Sequence, residues 1–166
     1  MKLLKFINAK LYSIVDVAAW ILAAALCLLV GFQVLNRFIL HIPAPWTEEF
    51  SRYAFVWLVM IGSAKATYNR QHLKIEILAL MVRQERAKIF INLLANACVL
   101  FFFGVLAYQS VFFCLSGFNR TAISFRLPMF YVYIVFPLAF ALMFLFDLQN
   151  FLDDIKKLFK SQREVA

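Results

Sequence analysis

Charge is scarce in this chain. Only 16% of its 166 residues are Asp, Glu, Lys or Arg, against 64% apolar residues. A soluble domain carries about a quarter charged and about half apolar residues. Together with a mean hydropathy of +0.81, this excludes a soluble globular domain and implies a membrane protein of a size for one compact bundle. Cysteine is sparse too. Cys27, Cys98 and Cys114 lie in apolar stretches and form neither a CxxC pair nor a metal-ligand spacing. They read as small buried hydrophobes, not as redox or metal chemistry. His41 and His72 are the two histidines. They fall on opposite sides of the membrane in the topology derived below, so they cannot share a metal, and each reads as an interfacial hydrogen-bonding residue. The four glycines build no phosphate cradle, and no Ser/His/Asp arrangement stands out. No enzymatic activity, cofactor or metal is expected.

Ionisable residues are also missing where a self-sufficient pump would need them. None lies between Asp16 and Arg37, between Lys88 and Arg120, or between Arg126 and Asp147. Proton- or cation-driven carriers place such groups inside their spans. A small four-span multidrug exporter would need a membrane-embedded glutamate, and a four-span quinone-linked disulfide oxidase would need paired loop cysteines; neither is present. The net charge of +8 does not point to nucleic acid, because the basic residues flank apolar runs, as cytoplasmic loops of membrane proteins do.

Four apolar segments are present, and they predict an all-α polytopic membrane protein. The spans are about 17–35, 47–68, 89–115 and 129–149, within a single membrane domain over 1–166. A span needs roughly 20 apolar residues. The third is longer than a perpendicular crossing needs and should tilt. Pro137 in the fourth predicts a kink. The basic N-terminal stretch runs into a long apolar segment and reads as a retained span, not a signal peptide. Lys2, Lys5 and Lys10, then the six Lys and Arg residues from Lys65 to Lys88, then the basic tail 153–166 alternate with links that hold only Arg37 and Arg52, or Arg120 and Arg126. This bias puts both termini in the cytoplasm and Arg37–Arg52 and Ser116–Pro128 on the far side. The segment 73–88 mixes apolar and charged residues. Its opening alternation also fits a strand, but a lone strand would leave an unpaired edge, so an amphipathic interfacial helix is favoured. Lys65 lies near the cytoplasmic end of its span and can snorkel. Asp16 has a helix-start or lysine-pairing role.

The start of the second span stands apart, because Glu48, Glu49 and Arg52 crowd it. With a helix beginning at Thr47, that threonine caps it and both carboxylates fall in the first turn, favoured by the helix dipole. Arg52 follows at helical spacing on the same face. The alternative is that a carboxylate or Arg52 pairs with another subunit. Trp46 sits at headgroup depth, and Trp57, deeper in the span, suggests packing against protein. Gly62, Ser63 and Ala64 supply the small surface that helix pairs use.

The order Asn36-Arg37-Phe38, Pro45-Trp46-Thr47-Glu48-Glu49, Arg52, Trp57, Gly62, Arg70 and His72-Leu73-Lys74-Ile75-Glu76-Ile77 resembles the small, Q-type membrane subunit of TRAP (tripartite ATP-independent periplasmic) transporters. The likeness extends to length, span number and the Leu127-Pro128 and Pro137 placements. It implies a scaffold subunit in the bacterial cytoplasmic membrane. Its partners would be a separate large elevator-type membrane subunit, a periplasmic substrate-binding protein and membrane lipid, with no nucleic acid. The complex would import organic acids of the sialic acid, sugar acid or C4-dicarboxylate type, driven by sodium bound to the large subunit. The family-matched residues are Arg37, Trp46, Glu48, Glu49, Arg52, Trp57, Gly62 and His72, with scaffold or subunit-interface roles and no part in binding substrate. A homodimeric small exporter and a non-transport structural tetraspan protein are the rival expectations.

Overall fold

A computed structural model of the protein describes residues 2–41, 45–69, 85–124 and 126–163. The described chain is helical: α1 (Lys2–Leu35), a π-helical turn (Asn36–Leu40), α2 (Pro45–Tyr68), α3 (Glu85–Ser116), a 3-10 turn (Gly117–Asn119), α4 (Phe130–Tyr133) and α5 (Val135–Arg163). Three stretches are long and apolar enough to cross a membrane: Lys5–Ile39, Leu93–Asn119 and Phe130–Lys156. The segment 73–84, where most of the interfacial helix was expected, lies outside the described residues, as does His72.

Helix ends follow from local chemistry. The π-helical turn closes α1, with the backbone N–H of His41 donating to the carbonyl of Asn36 and His41 itself left-handed at φ 53°. Its ring nitrogen meets the carbonyl of Ile39 at 3.2 Å. α2 begins at Pro45, two residues before the expected Thr47. Proline suits a first helical turn, where its missing N–H is no loss, so Thr47 is not the cap but a buried residue of the first turn. The kink expected at Pro137 appears as a break at Ile134, between α4 and α5. Proline has no N–H to offer the carbonyl four residues earlier, which is that of Tyr133, and the neighbouring Leu138 N–H to Ile134 carbonyl bond is stretched to 3.4 Å.

The helices lie in a row, not in the compact bundle expected from size. α1 packs on α2, α2 on α5, and α5 on α3. The core is correspondingly thin: Val15, Ala64, Phe103, Ala139, Met143 and Phe146. A ladder of rings crosses it, with Tyr12 stacked on Tyr68 at 4.3 Å and Tyr68 edge-on to Phe146 at 5.2 Å. Much apolar surface faces outward, including Trp20, Leu28, Phe38, Phe101 and Tyr108. Cys27 and Cys98 are likewise exposed, against expectation, and only Cys114 is buried. Water would penalise such exposure, whereas hydrocarbon does not, because lipid tails are as apolar as leucine.

One end of the row is tied together by polar side chains. Lys5 pairs with Asp153 at 2.9 Å, so the first and last helices share this end. The fully buried Asn8 amide donates to the carbonyl of Leu145 and to Gln149 Oε1, at 3.2 and 2.8 Å. Asn96 donates to Asp154 at 2.7 Å, and Asn150 to the carbonyl of Thr67 at 3.1 Å. Lys65 does not simply extend toward the interface. Its ammonium pairs with Asp16 and lies 5.8 Å from the centre of the Trp20 ring, which settles Asp16 as a lysine partner joining α1 to α2.

The other end depends on one glycine. A Cβ on Gly117 would stand 2.7 Å from the backbone nitrogen and 2.8 Å from the Cα of Phe130. No rotamer change relieves a clash with backbone. Gly117→Ala is expected to destabilise the chain by about 1–3 kcal/mol, as overpacking does, read as a lower melting temperature in detergent. Gly62→Ala, whose Cβ meets nothing within 4 Å, should not lower that temperature, since alanine is the better helix former.

Candidate functional site

The charged start of α2 meets the connection between α3 and α4 at this second end. Glu49 and Tyr53 are four residues apart and therefore on one face of the helix. The Tyr53 hydroxyl donates to Glu49 Oε1 at 2.5 Å, with Met129 Sδ 3.3 Å from the same hydroxyl. The Glu49 carboxylate also accepts two consecutive backbone N–H groups, Ile123 at 3.0 Å on Oε1 and Ser124 at 2.8 Å on Oε2. Hydrogen bonds to an ionised acceptor are roughly twice as strong as neutral ones, so this carboxylate is a clasp on the turn.

The turn is ordered by its own bonds as well. Thr121 and Pro128 form a β-bridge. The Ala122 N–H donates to the Leu127 carbonyl at 2.8 Å, the Arg126 N–H to the Ala122 carbonyl at 3.0 Å, and the Met129 N–H to the Arg120 carbonyl at 2.9 Å. Arg126 takes a left-handed backbone at φ 53°, a conformation that costs a non-glycine residue about 1–2 kcal/mol. Below it, Phe118 stacks on Phe130 at 4.1 Å and Ala122 is buried.

The remaining motif residues separate from this clasp. Glu48 and Arg52 are exposed, and among the described residues no ion pair joins Arg52 to either glutamate, although the helical spacing suggested one. Trp46 lies 6.2 Å from the Phe32 ring, which links α2 back to α1. Arg37 is exposed in the π-helical turn, with its guanidinium 5.9 Å from the Phe38 ring. Trp57 is half-buried, and Gly62 faces open space. Sequence reasoning missed Tyr53, Gly117 and the two backbone amides. The i, i+4 rule applied to Glu49 would have found Tyr53; nothing local marks the others. No group of three or more His, Cys, Asp or Glu residues able to hold a metal occurs among the described residues.

These features define a multi-pass helical membrane protein whose polar groups tie its own helices and connections together. Comparison with known proteins places it further. Residues 26–157 match the family of tripartite ATP-independent periplasmic transporters, DctQ component, and the chain belongs to that family, one of transporter components and not of enzymes. It is 28% identical over 142 residues to the sialic acid TRAP transporter small permease protein SiaQ of Vibrio cholerae, covering 80% of this chain and 82% of that one. It is 28% identical over 112 residues to the sialic acid TRAP transporter permease protein SiaT of Haemophilus influenzae (63% of this chain, 18% of that protein). The isethionate TRAP transporter permease protein DctMQ of Oleidesulfovibrio alaskensis is 28% identical over 142 residues (80% and 22%). The chain thus spans about a fifth of the length of these last two relatives.

Glu49→Ala removes the acceptor for both amides. Hydrogen exchange at Ile123 and Ser124 is expected to accelerate by about tenfold or more, with the far-end amides of α5 unaffected. Unchanged exchange at both positions would show that the turn holds itself.

Proposed function

We propose that this chain is the small scaffold subunit of a binding-protein-dependent TRAP importer of an organic acid, working beside a large membrane subunit in the bacterial inner membrane. The family match over residues 26–157 carries this reading. The absence of ionisable residues between Asp16 and Arg37, Lys88 and Arg120, and Arg126 and Asp147 supports it, since a scaffold needs no buried charge of its own. In this reading sodium and substrate bind to the large subunit, no cofactor is held here, and the outward apolar faces meet that subunit or lipid. Relatives named for sialic acid and isethionate favour an anionic organic acid as cargo.

The proposed topology has four spans. α2 is the fourth, at 24 residues or about 36 Å of helix, which exceeds the hydrocarbon thickness of about 30 Å. Charge bias places both termini in the cytoplasm. The clasped turn and Arg37 then face the periplasm, and 73–88 lies along the cytoplasmic interface as a helix. Cysteines placed singly along 73–88 should alternate with helical period between protected and reactive toward a water-soluble thiol reagent; uniform labelling would exclude the helix.

The subunit reading is tested by purifying the tagged chain in mild detergent from its own host's membranes. A large multi-span protein should follow it in stoichiometric amount. Arg52→Ala should lower that yield several-fold and Lys160→Ala should not, because Arg52 is exposed at the motif end and free for a partner carboxylate. Recovery of the chain alone, or only with copies of itself, would sink the scaffold reading and leave the homodimeric exporter.

A further inference from the structure

We infer that the outward face of α3 pairs with the same face of a second copy of this chain, and that Gln109 sets the register of the pair. Leu93–Asn119 is one of the three stretches long and apolar enough to cross a membrane. Its centre falls at Leu106, so Gln109 stands only about 5 Å from the middle along the helix. The nearer headgroups are then about 10 Å away, beyond the reach of a glutamine side chain. Gln109 is exposed, and among the described residues nothing hydrogen-bonds to its amide. No water in the hydrocarbon core can serve it, so the amide must find its partner in protein.

Gln109 belongs to a stripe. Cys98, Phe102, Val105, Gln109, Phe112 and Ser116 recur at alternating steps of four and three residues, the spacing of a helix seam. All six are exposed, whereas Phe103, Ser110 and Cys114 of the same helix are buried. α3 stands at an edge of the row and packs on α5, so no described helix of its own chain covers the stripe. Lipid accounts for the apolar members and not for Gln109. Two considerations select a second copy as the cover. Identical chains inserted with one topology carry residue 109 at the same depth, and a two-fold axis beside α3 sets one amide opposite the other. A carboxamide offers both a donor and an acceptor, so it is its own complement. In the seam Gln109 takes an a position, where a lone polar residue fixes register and strand number, and Cys98, Val105 and Phe112 take the d positions.

This pairing is separate from the scaffold reading above, because the large subunit can occupy other faces of the row. Two copies of the full chain with different tags are produced together with the large subunit in the native host. Cys27→Ala and Cys114→Ala leave Cys98 as the reporter, and the membranes are treated with copper phenanthroline. A disulfide between Cys98 of one copy and Cys98 of the other should join the two tags, and Cys98→Ser should abolish it. Gln109→Leu should lower the joined fraction about fivefold, while Gln109→Asn keeps most of it. Neither variant should lower the melting temperature in detergent, since the amide makes no bond within the described chain. A photo-crosslinking benzoylphenylalanine in place of Phe102 should mark a second copy as well. Tags that never join, joining indifferent to Gln109→Leu, or a position-102 adduct with the large subunit or lipid alone overturns the pairing. Joined tags without the large subunit count against the scaffold reading alone.

Discussion

A helix row has no closed interior, so polar groups far from water have nowhere to hide except against each other at its ends. Placing an unpaired polar group in hydrocarbon costs several kcal/mol, and this requirement organises the chain. At the end shared by the termini, Lys5 with Asp153, Asn8 with Gln149, Asn96 with Asp154 and Asn150 with the Thr67 carbonyl tie all four long helices together. At the other, Glu49 and Tyr53 tie α2 to the α3–α4 connection. Between them the core is a thin apolar layer of Val15, Ala64, Phe103, Ala139, Met143 and Phe146. The two polar layers fix helix register, which apolar contacts alone leave loosely specified.

α2 occupies a special place in that arrangement. It is not among the stretches that composition alone marks as able to cross a membrane. Its position explains this. It is flanked by α1 on one side and α5 on the other, and its buried residues are Thr47, Ser51, Ala64 and Thr67, all small. Small residues let helix backbones approach closely. A helix covered by protein on two sides needs less lipid-compatible surface, so a lower hydropathy is compatible with the transmembrane role proposed for it.

What could be read from the sequence follows the same physics. Hydropathy located the long helices because lipid-facing surface must be apolar along its whole length. Pro137 announced the break at Ile134, and Asp16 was one step from its lysine. The row was not legible, because residues facing lipid and residues facing protein look alike when the solvent is itself apolar; Cys27 and Cys98, expected inside, are outside for that reason. Nor was the need for glycine at position 117, which arises from the approach of Phe130 across the fold. Glu49 showed the limit most clearly. Its charge was visible at the mouth of α2, but its partners are backbone amides 74 and 75 positions away, and an amide carries no sequence signature.

The doubled carboxylate of the Trp46–Arg52 motif now has a geometric reason. Consecutive helical residues point about 100° apart, and Glu48 and Glu49 meet different surroundings here. Glu49 shares its face with Tyr53 and turns inward onto the loop. Glu48 shares the adjacent face with Arg52, and both stay exposed. The motif is thus two devices laid side by side: an internal clasp that sets the shape of the loop surface, and an external pair of opposite charges left available beside it. An ion pair between Glu48 and Arg52 would gain little while both remain in water. Left apart, each keeps its own hydration, while the clasp beneath holds the loop backbone at Ile123 and Ser124.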